Sequence, residues 1–187
     1  KENVKKPTVL HIITKKGFGL PEAEENPSQY HSLPCKTDDL QINMSEIVGR
    51  ELINLGQDER VTAISAAMTQ GVGLEGFAEK YPDRFFDVGI AEGHAVTFGA
   101  GLAAGGFKPF FAVYSTFLQR AYDQIVHDVA TQRLNVTLLI DHAGFVGEDG
   151  QTHQGLFDIA ALLPLPNMTL LAPADDNELK QMLAFCR

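Results

Sequence analysis

Apolar runs with the length of β-strands alternate with segments of helical spacing along most of this 187-residue chain. Strands separated by helices form parallel sheets, because each connection must carry the chain back across the sheet. The pattern therefore predicts an α/β fold, with a doubly wound, mainly parallel sheet and helices on both faces. Asn43 or Ser45 suits the N-cap of the first main helix, and Asp175 or Asp176 that of the last. The predicted strands are 9–14, 61–66, 85–88, 109–113, 136–141 and 168–171, and the predicted helices are 45–55, 74–80, 92–104, 117–131 and 176–185.

The first 37 residues differ in character from the rest. Residues 17–37 contain glycine, proline and several acids but no hydrophobic periodicity, which is typical of a linker. We therefore predict that residues 1–37 are a tail and linker from a preceding domain, and that the main domain spans 38–187. The last predicted helix reaches the final residues without a Gly or Pro to end it, so we expect a longer protein.

Charge and cysteine content exclude several classes of function. The net charge of −9 opposes nucleic-acid binding, which depends on Lys and Arg neutralising phosphates. Cys35 and Cys186 lie too far apart in sequence for a metal-binding pair, and no disulfide framework is indicated. No apolar run approaches the roughly 20 residues that span a bilayer, and no signal peptide is recognisable. We expect a cytoplasmic protein whose partners include neither nucleic acid nor membrane.

Two loops resemble cofactor motifs imperfectly. Residues 71–76 match the GxGxxG pattern of dinucleotide sites, with Asp87 as a downstream acid, but three residues separate the pattern from its strand. An ordinary glycine-rich loop before a helix explains it as well. Glu148, Asp149 and Gly150, with Asn177 downstream, lack the first glycine of a diphosphate-metal motif. No metal ligand is assigned in this chain.

Polar residues follow three of the predicted strands, where an open parallel sheet forms its binding crevice. Glu92 begins a helix rich in Gly and Ala, so its carboxylate is expected to be buried with a partner. The alternative is a solvated first-turn acid, favoured by the helix dipole. A glycine-rich loop after the strand 136–141 has the length of a functional loop. The candidate residues are Glu92, then Tyr114, Phe117 and Arg120, then His142, Asp149 and His153.

Three segments carry distinctive motifs: residues 87–98 read DVGIAEGHAVTF, residues 114–124 read YSTFLQRAYDQ and residues 149–155 read DGQTHQG. Together they resemble the pyrimidine-binding domain of the 1-deoxy-D-xylulose-5-phosphate synthase family, within the transketolase superfamily. The resemblance covers nearly the whole chain, since residues 14–19 and 21–24 are similar to the exit from that family's diphosphate-binding domain. It implies the thiamine diphosphate-binding fold.

The resemblance also implies roles for individual residues. Glu92 matches the acid that bonds a ring nitrogen of the thiamine aminopyrimidine, Phe117 the aromatic residue that stacks on that ring, and Ile90 a residue that lines the pocket. Glu92 and His153 are implied as catalytic residues, with His153 as a proton carrier. Mg²⁺ is expected to be bound by the preceding domain. The implied substrate-binding residues are Tyr114, Arg120, His142, Asp149 and His153.

The reaction implied for the full-length protein is the decarboxylative condensation of pyruvate with glyceraldehyde 3-phosphate. It would be a homodimeric transferase that feeds non-mevalonate isoprenoid, thiamine and pyridoxal biosynthesis, and the isolated chain would be inactive. His142 stands where the family usually has Arg, and His is a weaker phosphate ligand. The alternatives are a superfamily enzyme with another acceptor, a dinucleotide-binding module using residues 71–76, and a catalytically silent interaction domain.

Overall fold

The structure, a computed structural model, describes residues 6–28, 30–31, 43–147 and 150–187. The chain divides into two compact units, Lys1–Leu40 and Gln41–Arg187. The predicted boundary between residues 37 and 38 lies outside the described residues and stays a prediction. Across the described ranges, no helix combines the length and the apolar character needed to cross a membrane.

The first unit contains the short helix α1 (Pro21–Glu25). Glu24 accepts a hydrogen bond from the backbone N–H of Gly19 at 2.9 Å and pairs with Lys15, which lowers the pKa of the Glu24 carboxyl. Residues 9–14 form no strand, so the prediction of a strand there is wrong. A strand needs a neighbour for its backbone groups, and none of the described residues pairs with this run.

The sheet of the second unit contains four parallel strands within residues 43–147 and 150–187. They are β1 (Val61–Ser65), β2 (Phe85–Asp87), β3 (Lys108–Tyr114) and β4 (Thr137–Asp141). Their order across the sheet is β2-β1-β3-β4. The register pairs Tyr114 with Asp141, the last residues of β3 and β4. Side chains that follow these two strands therefore leave the sheet at the same edge.

Helices cover both faces of this sheet, and the alternation of side chains along the strands explains why. Ala63 and Ala112 point to one face and pack with the helices at 44–55, 75–80 and 176–186, whereas Ile64 and Phe111 point to the other and pack with the helix at 92–104. The predicted doubly wound, mainly parallel fold is confirmed. The main helices are α2 (Met44–Leu55), α3 (Glu75–Lys80), α4 (Glu92–Ala104), α5 (Ser115–Leu118), α6 (Tyr122–Gln124), α7 (Asp158–Leu162) and α8 (Asp176–Cys186).

Side-chain caps fix the starts of the first and last of these helices. Asn43 accepts a hydrogen bond from the backbone N–H of Ser45 at the start of α2. Asp175 accepts two, from Asn177 and Glu178, at the start of α8. Each cap satisfies backbone donors that have no partner within the helix. Asn43 and Asp175 are therefore confirmed as the caps, each from the pair of residues that the sequence proposed.

The single helix predicted for residues 117–131 is wrong in its detail. A 3₁₀ turn (Gln119–Ala121) separates α5 from α6, and a π-helix (Ile125–Ala130) follows α6. The backbone N–H and the hydroxyl of Thr131 both donate to the carbonyl of Val126, at 3.0 and 2.7 Å, which is the five-residue spacing of a π-helix. Hydrophobic periodicity does not distinguish these hydrogen-bonding patterns.

The predicted strand at residues 168–171 is also wrong, and the sequence reading missed α7 altogether. Met168 packs against the buried cluster beneath α4, whereas Leu170 and Leu171 remain partly exposed. Of the apolar side chains in this run, only Met168 packs into that cluster. Its backbone forms no ladder with any strand in the described part of the chain.

Arg84 joins the end of α2 to the start of β1. Its guanidinium donates hydrogen bonds to the carbonyls of Gly56, Asp58 and Val61, at 2.7, 2.9 and 3.1 Å. The same group lies 4.3 Å from the ring centre of Tyr81, within cation–π range. One side chain thus satisfies two carbonyls in the irregular connection and one at the start of β1.

We expect Arg84→Met to lower the free energy of unfolding by about 2–4 kcal/mol, because it removes charged donors from three carbonyls and a cation–π contact. The matched control is Arg50→Met on α2. Arg50 forms only an exposed pair with Glu46 at 3.3 Å, and we expect a change of about 0.5 kcal/mol or less. Urea unfolding measures both. Equal losses for the two variants would contradict this account of Arg84.

Candidate active site

Four aromatic side chains from the ends of β3 and β4 form one cluster. The rings of Tyr114 and His142 stack with centroids 3.7 Å apart and planes 16° apart. Tyr114 also lies parallel to Phe117 at 6.0 Å, and His153 meets Phe117 edge-on at 5.4 Å. The structure therefore brings together four of the residues that the sequence nominated separately.

The strand ends explain how this cluster forms. Tyr114 is the last residue of β3, and α5 begins at the next residue, so Phe117 lies one helical turn away. His142 directly follows Asp141, which pairs in register with Tyr114. The loop that follows β4 then brings His153 back to Phe117. Thr116 holds this return by donating a hydrogen bond to the carbonyl of Thr152 at 2.9 Å.

Glu92 is buried at the start of α4. The residue is 4% exposed, and Ala95 and Val96 in the next turn are fully buried. Its Oε2 lies 3.7 Å from Nη1 of Arg120, whose side chain is 62% exposed. Among the described residues, no donor makes a hydrogen bond to this carboxylate. The expected burial of Glu92 is confirmed and the solvated alternative is wrong, but the described residues provide no buried partner for the carboxylate.

The loop after β4 is held by backbone pairing and by one amide side chain. Gly144 and Gly155 exchange two hydrogen bonds, of 2.7 and 2.8 Å. The amide of Gln154 accepts from the backbone N–H of Val146 and donates to the carbonyls of Val146 and Gly150. Thr152 Oγ1 lies 2.9 Å from His153 Nδ1. These contacts orient the His153 imidazole beside Phe117.

Ile90, which was also nominated, is not part of this contact network. Ile90 lies two residues before Glu92 and is 75% exposed, so the protein itself does not bury its side chain. Asp149 lies outside the described residues, and its nomination stays a prediction. Arg120 pairs with Glu92 and lies in the 3₁₀ turn just after Phe117.

The glycine-rich loop at residues 71–76 does not have the form of a phosphate site. The backbone N–H groups of Val72, Gly73 and Leu74 donate to carbonyls four, three and five residues earlier, so they are not available to a phosphate. A Cβ on Gly49 of α2 would lie 2.1 Å from the Gly73 carbonyl oxygen. The glycines serve close packing against α2, and the dinucleotide alternative loses its main support.

Asp87, the downstream acid of the dinucleotide alternative, forms hydrogen bonds with backbone N–H groups instead. Its Oδ1 accepts hydrogen bonds from the N–H groups of Ala67 and Gly89, at 2.8 and 2.9 Å. Its Oδ2 accepts from the hydroxyl of Thr69 at 3.0 Å. Asp87 thus joins the loops after β1 and β2, the second of which leads into Glu92.

Sequence reasoning missed the contact between Ser45 and Asp141. Ser45 was noted only as a possible cap, and Asp141 only as the end of a strand. The Ser45 hydroxyl donates to Oδ2 of Asp141, across 96 positions of sequence. No local pattern signals such a contact. The available signal was the position of Asp141 at the carboxyl end of a parallel strand.

Comparisons with known proteins agree with this geometry. The model of the family "Transketolase, pyrimidine binding domain" matches residues 41–186. The 1-deoxy-D-xylulose-5-phosphate synthase of Clostridium perfringens (strain 13 / Type A) is 55% identical and covers 98% of this chain, as does that of Alkaliphilus oremlandii at 52%. These matches confirm the resemblance inferred from the motifs. The chain spans 31% of the length of both relatives.

Solved structures share the fold. A structure titled as a split-gene transketolase, an inactive beta4 tetramer, superposes with a TM-score of 0.69 at 31% identity, over 78% of this chain and 47% of that one. The transketolase from Leishmania mexicana gives a TM-score of 0.69 at 24% identity, over 83% of this chain and 24% of its own. The second match shows the fold alone.

Gly155 is the position where the loop after β4 tolerates no side chain. A Cβ there would lie 2.2 Å from the carbonyl oxygen of His142 and 2.7 Å from Cβ of Ser115. We expect Gly155→Ala to lower the free energy of unfolding by about 1–3 kcal/mol and to displace His153. Gly147→Ala in the same loop meets nothing within 4 Å and should change it by about 0.5 kcal/mol or less. Denaturant unfolding compares the two, and similar values would contradict the packing argument.

Proposed function

This chain belongs to the transketolase pyrimidine-binding domain family, and we propose that it is the part of a 1-deoxy-D-xylulose-5-phosphate synthase that binds the aminopyrimidine ring of thiamine diphosphate. The identities of 55% and 52% to synthases of that name support the choice of enzyme within the family. The whole reaction belongs to a longer protein, since the chain spans 31% of those relatives.

The observation that carries this proposal is the buried, incompletely satisfied carboxylate of Glu92. Burying a charge is costly unless hydrogen bonds or an opposite charge compensate for it. Arg120 at 3.7 Å is largely exposed and lies beyond hydrogen-bond distance. A ring nitrogen that donates a hydrogen bond to Glu92 would supply the missing partner. The site therefore fits an aminopyrimidine better than it fits a purely structural role.

The flat ring would lie against Phe117, which is partly buried and fixed between Tyr114 and His153. Stacking of a second aromatic ring on Phe117 would contribute about 0.5–1.5 kcal/mol of binding free energy beyond simple burial. The exposed Ile90 is placed in the connection that leads into Glu92. Its side chain would cover another edge of the pocket and lose its contact with water.

The rest of the cluster would serve the substrates. His153, oriented by Thr152, would hold or move a proton at the acceptor carbonyl. Arg120 brings a positive charge to the Glu92 end of the site, while Tyr114 and His142 bring polar ring atoms to the β4 end. Asp149 is proposed on the resemblance alone. Together these groups suit a small, charged acceptor such as glyceraldehyde 3-phosphate.

Thiamine diphosphate, when bound, supplies the electron sink that decarboxylation of pyruvate requires. We place Mg²⁺ and the diphosphate in the preceding domain, and we propose a cytoplasmic homodimer. The product would feed non-mevalonate isoprenoid, thiamine and pyridoxal biosynthesis. Residues 1–37 would be the tail and linker of that preceding domain, and residues 38–187 the pyrimidine-binding domain.

We expect the isolated 187-residue chain to be inactive and to bind the cofactor only in the millimolar range or worse. One aromatic contact and one charge-assisted hydrogen bond supply about 0.5–1.5 and 1.5–3 kcal/mol, whereas association costs about 4–15 kcal/mol. Calorimetric titration with thiamine diphosphate and magnesium measures the affinity. Micromolar binding would show that contacts to the ring contribute more binding free energy than these two interactions supply.

In the full-length protein, Glu92→Gln should lower kcat about 10²- to 10⁴-fold while the melting temperature is retained. The amide is nearly isosteric but neutral, so it cannot act as a charged acceptor toward the ring nitrogen. His153→Ala should lower kcat with little change in cofactor affinity. Steady-state rates with pyruvate and glyceraldehyde 3-phosphate, together with thiamine diphosphate titrations, separate the two roles.

Glu75→Gln is the matched control, because Glu75 is also a first-turn helix acid but is exposed. Glu75→Gln should leave kcat and the affinity for thiamine diphosphate unchanged. Wild-type turnover by Glu92→Gln would refute the assignment of Glu92.

A further inference from the structure

A buried hydroxyl connects α2 to the end of β4. Ser45 is 6% exposed and lies in the first turn of α2. Its hydroxyl lies 3.3 Å from Oδ1 of Asn43 and donates to Oδ2 of Asp141. The first contact belongs to the cap of the helix. The second crosses the fold to the residue that ends β4, where the aromatic cluster begins.

Asp141 uses both carboxylate oxygens. While Oδ2 accepts from Ser45, Oδ1 accepts the backbone N–H of His142 at 2.7 Å and lies 3.3 Å from Nδ1 of the same residue. His142 has φ of 52°, in the left-handed region that L-residues seldom adopt outside turns. Such a conformation is unfavourable and persists only where neighbouring contacts impose it.

The outcome of these contacts is the position of one ring. The imidazole of His142 lies 3.7 Å from the phenol of Tyr114, nearly parallel to it. The Tyr114 hydroxyl in turn lies 3.5 Å from the Gly71 carbonyl oxygen, which limits the movement of the phenol. Ser45 is linked to this ring through Asp141.

We propose that Ser45 and Asp141 are positioning residues that hold the His142 imidazole against Tyr114 and thereby set the affinity for the phosphorylated acceptor. This inference rests on the proposed function, in which Tyr114 and His142 contact that acceptor. Without the Ser45 hydroxyl, Oδ2 of Asp141 loses a buried donor, and the carboxylate is free to rotate away from His142. The His142 ring then samples several positions, and acceptor binding becomes weaker because it must order that ring.

The test compares Ser45→Ala with Asn43→Ala in the full-length protein. Asn43→Ala removes the cap of α2 and so perturbs the same helix start without removing a partner of Asp141. Only Ser45→Ala removes a partner of Asp141. We expect Ser45→Ala to raise the KM for glyceraldehyde 3-phosphate about tenfold, a loss of the size expected for one hydrogen bond to a charged group. The KM for pyruvate and kcat should remain within about twofold, and Ser45→Thr, which keeps the hydroxyl, should restore the acceptor KM.

Crystal structures of the same variants give a readout that does not depend on activity. The His142 ring should leave Tyr114 in Ser45→Ala and stay stacked in Asn43→Ala. An unmoved ring, or an equal rise in acceptor KM for both variants, would overturn the positioning role while leaving the proposed function intact. A displaced ring with an unchanged acceptor KM would instead show that Tyr114 and His142 do not contact the acceptor, and both proposals for this end of the site would fall.

Discussion

The carboxylate of Glu92, on a side chain that is 5% exposed at the start of α4, is the constraint on which the site depends. A first-turn acid gains from the helix dipole, but that gain of about 0.3–1 kcal/mol is small beside the cost of burying a charge. The exposed Arg120 at 3.7 Å offsets only part of this cost. A fold that retains such a group leaves a hydrogen-bond acceptor for a ligand, and the Glu92 carboxylate is therefore the part of the fold that a cofactor ring would complete.

The parallel register determines which other groups share the site with Glu92. Tyr114 and Asp141 are paired across β3 and β4, so the residues that follow them start from the same edge of the sheet. The loop after β4 then returns through Gly155, which lies too close to the His142 carbonyl to carry a side chain. Glycine at this position is the condition for placing His153 against Phe117.

Much of this arrangement followed from the sequence because it depends on local patterns. The alternation of apolar runs predicted the strands of the sheet, and the Gly- and Ala-rich segment after Glu92 predicted a helix that begins at that residue with its acid buried. Patterns failed where tertiary contacts decide the outcome. Residues 9–14 and 168–171 are apolar but have no strand partner among the described residues. The Ser45–Asp141 hydrogen bond joins segments that no periodicity relates.

The most direct test of the role of Glu92 is a crystal structure of the full-length protein with bound thiamine diphosphate. We predict that a Glu92 carboxylate oxygen lies about 2.6–3.2 Å from a nitrogen of the aminopyrimidine ring, with the ring face against Phe117. A structure in which the ring binds elsewhere, with Glu92 still contacting only Arg120, would contradict the central claim.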